Sequence, residues 1–94
     1  VDEILRLRAA GNYSEIHMMN GRRFFDQRGI GAILKDLPDW FFRLHKSHVV
    51  NLRFVETLKA KQGSRYSIIL DSRAELPVGR SRLRDLRSAL ESKT

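Results

Sequence analysis

Four consecutive polar residues interrupt an otherwise apolar segment of this chain. The run His45-Lys46-Ser47-His48 follows Phe41-Phe42 and precedes Val49-Val50. Apolar and β-branched residues suit a buried strand, so the flanks of the run predict core-forming sequence. Polar side chains in such a place are best explained by a partner that they contact. The same residue types could also support catalysis, metal binding or anion binding.

Catalysis has little support. Ser47 is a sequence neighbour of His45 and His48, but a serine–histidine pair also needs a carboxylate that orients the histidine. No Asp or Glu lies between Asp39 and Glu56. Adjacent residues of a strand also point to opposite faces, which separates such a pair. The sequence therefore predicts that the chain is not an enzyme.

Metal and phosphate-loop sites are also weakly supported. His45 and His48 are three residues apart, a spacing that aligns ligands on a helix, whereas their flanks predict a strand. His17 could join them only through the tertiary fold. Gly29-Ile30-Gly31 precedes a helical pattern but lacks the Gly-Lys-Ser/Thr ending of a P-loop. We therefore expect neither a bound metal nor a cofactor.

Composition favours a small domain with an anionic partner. Ninety-four residues suffice for one modest core, and 41% hydrophobic content predicts folding. Eighteen Lys and Arg against 11 Asp and Glu give a net charge of +7. This charge favours nucleic acid or an anionic membrane surface as the partner. The absence of cysteine excludes disulfides and thiolate metal sites and is compatible with a cytoplasmic location, which we expect.

Neither a membrane span nor a signal peptide is expected. No apolar run approaches the roughly 20 residues that a spanning helix needs. Residues 1–10 contain Asp2, Glu3, Arg6 and Arg8, which interrupt any signal-peptide core. The chain begins directly in patterned sequence, so we interpret residues 1–94 as a single domain cut from a longer protein.

Hydrophobic periodicity predicts a mostly β fold. Leu5, Leu7 and Ala9 alternate with arginines, which is typical of a half-buried strand, and Asn20-Gly21 predicts a hairpin turn. We expect six or seven short strands that begin as a β-meander. The predicted strands span residues 4–9, 13–19, 22–27, 54–61, 65–71 and 74–78, with a further β-element around the polar run.

Two helices complete the prediction. Ile30, Ile33, Leu34 and Leu37 recur at helical spacing before Pro38, which indicates a short inserted helix. At the end of the chain, residues 80–92 predict an amphipathic helix. Its apolar face carries Leu83, Leu86 and Leu90, and Ser81 is the expected N-cap.

Three separated polar loops fit nucleic acid better than any other partner. We expect them to lie between β-elements. Lys and Arg can neutralise phosphates and Arg can pair with guanine, while Asn suits adenine. The loops are Asn12-Tyr13-Ser14, His45-Lys46-Ser47-His48 and Gly79-Arg80-Ser81-Arg82.

The order of several motifs resembles the LytTR family of DNA-binding domains. The resemblance rests on Ala10-Gly11-Asn12-Tyr13, on Leu34 to Pro38, and on Leu76-Pro77-Val78-x-Arg80. Its most specific mark is Arg43-x-His45-x-Ser47-x-Val49-Val50-Asn51. It extends from about Ile4 to Leu90. It implies compact antiparallel β-sheets, a short inserted helix and a C-terminal helix, in the output domain of a bacterial transcription regulator.

The resemblance also implies how such a domain contacts double-stranded DNA. Loops enter successive major grooves, no recognition helix is used, and the DNA is often bent. Ser14, Lys46 and Arg80 match family positions that contact DNA, with Arg82 as a phosphate neighbour. Arg43, Ser47 and Asn51 are motif positions that we expect to support the loops. The predicted DNA-binding residues are Asn12, Tyr13, Ser14, His45, Lys46, Ser47, Arg80 and Arg82.

Two other functions stay open at this point. In an RNA-binding module, Tyr13, Trp40 or Tyr66 would stack on unpaired bases. In a protein-interaction or dimerisation module, the helix of residues 80–90 would pack on a partner, and the charge would only increase solubility. For the DNA reading we also expect two copies on repeated half-sites. An upstream sensory, receiver or membrane domain is expected in the full-length protein.

Overall fold

The computed structural model describes residues 3–93. These residues form two antiparallel sheets and two helices, with short 3₁₀ turns at Leu52–Phe54, Gln62–Ser64 and Arg80–Arg82. The strands are β1 (Ile4–Ala10), β2 (Tyr13–Met18), β3 (Arg23–Asp26), β4 (Phe41–His45), β5 (His48–Asn51), β6 (Val55–Lys61), β7 (Arg65–Leu70) and β8 (Glu75–Val78), and the helices are α1 (Ile30–Leu34) and α2 (Leu83–Lys93).

The two sheets divide the chain almost in sequence order. The first has five strands in the order β3-β2-β1-β5-β4, and the second has three in the order β6-β7-β8. The predicted fold class, mostly β with a short inserted helix and a C-terminal helix, is confirmed. The described residues form eight strands rather than six or seven because the segment around the polar run folds into a hairpin, β4 and β5, that turns at Lys46–Ser47.

Two apolar clusters lie on opposite faces of the five-stranded sheet. Helix α1 covers one face, where Leu7 and Val49 are fully buried against Ile30 and Ile33. The three-stranded sheet and α2 cover part of the other. Burial of this apolar surface is the main favourable term in folding. The second cluster consists of Leu44, Val50, Leu52, Val55, Ile68, Leu70, Leu76, Val78 and Leu86.

Helix α1 is shorter than its apolar spacing predicts. It ends at Leu34 instead of reaching Leu37, because the hydrogen bonds of the next turn join residues three apart instead of four. Asp36 N donates to Ile33 O and Leu37 N donates to Leu34 O, each at a distance of 3.0 Å. Pro38 also disfavours a helical conformation at the residue before it. Leu37 nevertheless packs against the same cluster as the helix.

The predicted hairpin at Asn20-Gly21 is present, with a different turn. A two-residue type I′ turn needs positive φ at both central residues. Gly21 has φ +88°, but Asn20 is not among the described residues with positive φ. Gly21 N instead donates to Met18 O (3.1 Å) and Met18 N to Arg22 O (2.9 Å). The loop therefore has three residues, with glycine at the left-handed position.

The C-terminal helix begins later than predicted. Residues Arg80–Arg82 form a 3₁₀ turn in which Arg82 N donates to Gly79 O over 2.9 Å, and α2 starts at Leu83. Ser81 lies inside this turn, so its assignment as an N-cap is wrong. The predicted apolar face is confirmed, because Leu86 is fully buried and Leu83 and Leu90 pack against the second cluster.

Candidate nucleic-acid interface

Two of the predicted polar loops meet at one end of the five-stranded sheet. Strand β1 runs antiparallel to both β2 and β5, so the β1–β2 turn at Gly11–Asn12 lies beside the β4–β5 turn. Arg8 pairs with His48 in the ladder, and Ala9 N donates to Ser47 O over 2.9 Å. The register of the sheet therefore sets the distance between these two turns.

The third predicted loop joins the same end through a backbone bond between the sheets. Gly79 N donates to Leu44 O over 2.7 Å, just before the β4–β5 turn. A Cβ at Gly79 would lie 3.5 Å from Leu44 O and 3.9 Å from His45 Cα. A side chain here would thus be in ordinary contact with the neighbouring strand. The bond places Arg80, the next residue, beside the hairpin.

The predicted contact residues differ in their exposure. Asn12, Lys46 and Arg80 are exposed, and Tyr13 is 43% exposed. His45, Ser47 and Arg82 are half-buried. The exposed side chains come from three different turns at one end, an arrangement that can follow a long anionic surface.

Arg43 supports the β4–β5 turn, as expected from the motif. Its Nη2 donates to Lys46 O over 2.8 Å, and its Nε donates to His45 O over 3.4 Å. Helix α1 packs closely against it, since a Cβ at Gly31 would lie 3.0 Å from Arg43 Nη1. A guanidinium held by two carbonyls fixes the backbone that carries Lys46.

Asn51 supports the fold at the opposite end of the sheet. It is fully buried; its Nδ2 donates to Ile4 O and its Oδ1 accepts from Arg53 N, both at 3.0 Å. Its predicted role as a backbone anchor is confirmed. It anchors the start of β1 and the 3₁₀ turn after β5, and the expectation that it braces the polar turn is wrong.

Ser14 does not lie on the surface that was expected for it. The side chain is fully buried, and its hydroxyl donates to Arg28 O over 2.7 Å. Strand β2 starts at Tyr13, so Ser14 already belongs to the ladder, opposite Asp26 of β3. The hydroxyl holds the β3–α1 loop in place. This geometry corrects the expectation of an exposed base-contacting side chain at Ser14.

The two histidines of the polar run are held against each other. Their ring centroids are 5.6 Å apart, and His45 Nδ1 accepts from Ser47 N over 3.2 Å. His48 Nδ1 is buried and has no hydrogen-bond partner within residues 3–93. Burial lowers the pKa of His48 to about 4, and the charges of Arg6 and Arg8 on β1 and of His45 on β4 act in the same direction. His48 is therefore neutral at physiological pH.

Acidification should destabilise the protein through His48. An unfolded His48 binds a proton near pH 6.5, whereas the folded one stays neutral down to about pH 4. The unfolded state thus binds more protons in this window, and the free energy of unfolding decreases as the pH falls through it. NMR titration should give a His48 midpoint near pH 4, with the resonance assigned by its loss in His48→Gln. A midpoint near pH 6.5 would contradict the buried, neutral ring.

His17 belongs to a different polar group. Glu15 is 7% exposed, and its Oε2 accepts a hydrogen bond from Arg8 Nη1 at 3.1 Å. Its Oε1 lies 2.9 Å from His17 Nε2. The hydrogen bond with His17 lowers the pKa of Glu15, and the charge of Arg8 contributes. Within residues 3–93, no three His, Cys, Asp or Glu residues are grouped as a metal site.

A fourth turn at this end of the sheets was not singled out from the sequence. The β6–β7 turn at Gln62–Ser64 lies beside Arg80, because the first residues of β7 pair with the last residues of β8. Arg80 Nη2 donates to Gly63 O over 3.3 Å. The turn residues were recognised in the sequence, but only the register between β7 and β8 places them next to Arg80.

Two of the three aromatic residues considered for RNA stacking are covered. The Arg53 guanidinium lies 4.1 Å from the Trp40 ring centroid, and Arg87 lies 5.4 Å from that of Tyr66. Tyr66 also packs against the second apolar cluster. Tyr13 is exposed at the candidate interface, in edge-to-face contact with Phe25 at 5.4 Å. A row of stacking platforms, as single-stranded RNA requires, is therefore not formed by these three residues.

Comparison with known proteins gives a matching family model and several solved structures that resemble this chain. The family model described as LytTr DNA-binding domain matches residues 1–91. A solved structure from Bacillus cereus, the LytTr DNA-binding domain of a protein described as a methyl-accepting/DNA response regulator, superposes with a TM-score of 0.84. The likeness covers 95% of this chain and 82% of that one at 20% sequence identity, so it bears on the fold. A search of the curated proteins finds no match. No helix within residues 3–93 is long and apolar enough to cross a membrane.

Proposed function

The chain belongs to the LytTR family of DNA-binding domains, and from this premise we propose that it reads specific duplex sites through the turns at one end of its sheets. The observation that carries the proposal is the convergence of three polar turns, which expose Asn12, Lys46 and Arg80 together. The β1–β2 and β4–β5 turns and the segment after β8 enter successive major grooves. The protein contacts the minor groove between them and bends the DNA.

The roles of the contact residues follow from their chemistry and exposure. Arg80 can donate two parallel hydrogen bonds to guanine, and Asn12 can pair with adenine. Lys46 is a flexible point charge that suits a phosphate as well as a base. Arg82, half-buried beside Gly79, is assigned to a phosphate. Tyr13, His45 and Ser47 complete the surface, and Ser14 is assigned to holding the loop.

Salt dependence decides between a base and a phosphate for Lys46. If Lys46 binds a phosphate, Lys46→Ala should flatten the slope of log K against log salt by about one unit. Arg73→Asn is the matched control, because it removes one charge from the β7–β8 turn at the other end of β7 and Asn tolerates its positive φ of 74°. An unchanged slope together with altered base preference would assign Lys46 to a base.

Selection from a random duplex library, followed by footprinting of the enriched site, tests the proposal as a whole. We expect one preferred sequence and protection of successive major grooves on one side of the DNA. Failure to enrich any sequence would refute specific reading. Displacement of bound duplex by single-stranded RNA would favour an RNA-binding module instead.

The biological setting is also part of the proposal. A similar domain occurs in a protein described as a response regulator, which supports a role as the output domain of a bacterial transcription regulator. We therefore place the chain in the cytoplasm, in a protein that also carries a sensory, receiver or membrane domain, with two copies on repeated half-sites.

A further inference from the structure

The four edges of the two sheets are not equally protected. The edges formed by β4 and β8 face each other, as the bond from Gly79 N to Leu44 O shows. Strand β6 exposes charged residues along its edge, which discourages pairing with another strand. Strand β3 pairs only with β2 among the described residues and carries two exposed aromatics, Phe24 at 50% and Phe25 at 62%. It has neither proline nor a register shift.

The backbone of β3 has a defined set of outward groups. Arg22 O accepts from Met18 N, so Arg22 and Met18 form a hydrogen-bonded pair of the hairpin. Such pairs alternate along an antiparallel ladder, which assigns Phe24 and Asp26 to bonds with β2 as well. The N–H and C=O groups of Arg23 and Phe25 therefore point away from the sheet and can pair with a further strand.

We propose that β3 pairs antiparallel with β3 of a second copy of this chain, in a two-fold arrangement centred on Phe24. A two-fold axis between antiparallel neighbours is perpendicular to the sheet, so two residues that pair across the axis lie on the same side of the sheet. The residue numbers of every such pair then add up to one even value. Centring on Phe24 makes this sum 48. The outward backbone groups of Arg23 then meet those of Phe25 in the partner copy, which forms four hydrogen bonds.

The side chains are complementary in this register. Phe24 faces Phe24 of the partner copy at a non-hydrogen-bonded position, where side chains of opposite strands are closest. Arg23 faces Phe25 of the partner copy, which permits a cation–π contact. Arg22 faces Asp26 of the partner copy, so opposite charges meet at both ends of the pairing, where Arg22 shares a carboxylate that already binds Arg28 of its own chain at 2.9 Å. Centring on Phe25 instead would set Phe24 against Asp26, which loses the charge pairing.

The two-fold symmetry of the β3 pairing determines how a dimer would bind DNA, and this step rests on the proposed function. The two-fold axis reverses strand direction, so the ends that carry Lys46 point away from each other in the two copies. One dimer therefore holds two separate duplex segments and bridges them. Copies on adjacent half-sites of one duplex would have to meet through another surface.

Sedimentation equilibrium over a range of protein concentrations tests self-association directly. Each copy has a net charge of +7, so the experiment needs about 0.5 M salt, where repulsion is screened within a few ångström. We expect a monomer–dimer equilibrium. A monomer at every concentration up to about 1 mM would overturn the proposal, since association weaker than that is negligible.

Two variants at Arg23 separate backbone pairing from side-chain effects. Arg23→Pro removes an outward N–H that makes no bond to β2, whereas Arg23→Thr removes the same side chain and keeps the N–H. Proline should abolish the dimer and threonine should preserve it. Phe24→Lys, at an exposed position, should raise the dimer dissociation constant at least about tenfold through loss of the aromatic pair and like-charge repulsion. Equal dimerisation of all three variants would place the interface elsewhere.

A bridging assay tests the arrangement of the two DNA-binding ends. An immobilised duplex with the selected site should capture a second, labelled duplex through wild-type protein but not through Arg23→Pro, although both proteins bind a single duplex. A dimer that binds no duplex would refute the proposed function and leave the β3 pairing intact. Specific binding by a strict monomer would refute only the pairing.

Discussion

Arg80→Ala is expected to weaken binding to the preferred duplex by about 1–3 kcal/mol, the range for loss of a good bidentate base contact. Arg80 is exposed where the β8–α2 segment meets the β4–β5 hairpin. Its Nη2 bond to Gly63 O, 3.3 Å long, orients the guanidinium before DNA arrives. Part of the ordering cost of binding is thereby met in the free protein.

The measurement compares the selected duplex with a random duplex at one salt concentration. Arg80→Ala should reduce affinity for the selected site far more than for the random one, so the specificity ratio falls. Arg80→Lys is the matched control, because it keeps the charge but cannot form the two parallel bonds of a guanidinium. Equal losses on both duplexes for Arg80→Ala would show that Arg80 contacts only phosphate.

The β architecture could be predicted because its signals are local. Each of these signals depends only on neighbouring residues: the alternation in β1, the glycines of the turns and the apolar spacing of α2. The structure has the predicted strand, turns and helix at these places. The turn within the polar run follows from the contrast between His45–His48 and its apolar flanks. The ends of the helices were less predictable. Helix α1 ends at Leu34 and helix α2 begins at Leu83 because tight turns adjoin them, and a hydrophobic pattern does not indicate such turns.

The candidate contact surface was only partly predictable, because it depends on pairings between distant residues. Ser14 looked like a loop side chain, yet its hydroxyl is bonded to Arg28 O, 14 residues away. The link between Arg80 and Gly63 spans 17 residues and requires the register of β7 with β8. No local pattern specifies either partner, so sequence reasoning identified the residue types but not which of them are free to bind.

Long-range anchoring also explains the second large effect that we expect. Asn51→Ala should lower the free energy of unfolding by about 2–3 kcal/mol, because it leaves the Ile4 C=O and the Arg53 N–H without their side-chain partner. Asn51 is fully buried and ties the start of β1 to the turn that leads into the second sheet. Its loss therefore weakens the connection between the two sheets.

Urea denaturation of Asn51→Ala measures this loss, with Ser67→Ala as the matched control. Ser67 is also buried, at 3% exposure, but within residues 3–93 its hydroxyl makes a single hydrogen bond, to Glu75 Oε2 at 2.8 Å, so loss of the hydroxyl should cost about 1 kcal/mol. Asn51 lies at the end of β5 that is remote from Lys46, so folded Asn51→Ala should bind the selected duplex with wild-type affinity. Weakened binding by the fully folded variant would contradict this separation of stability from DNA contact, because it would couple the two ends of the sheet.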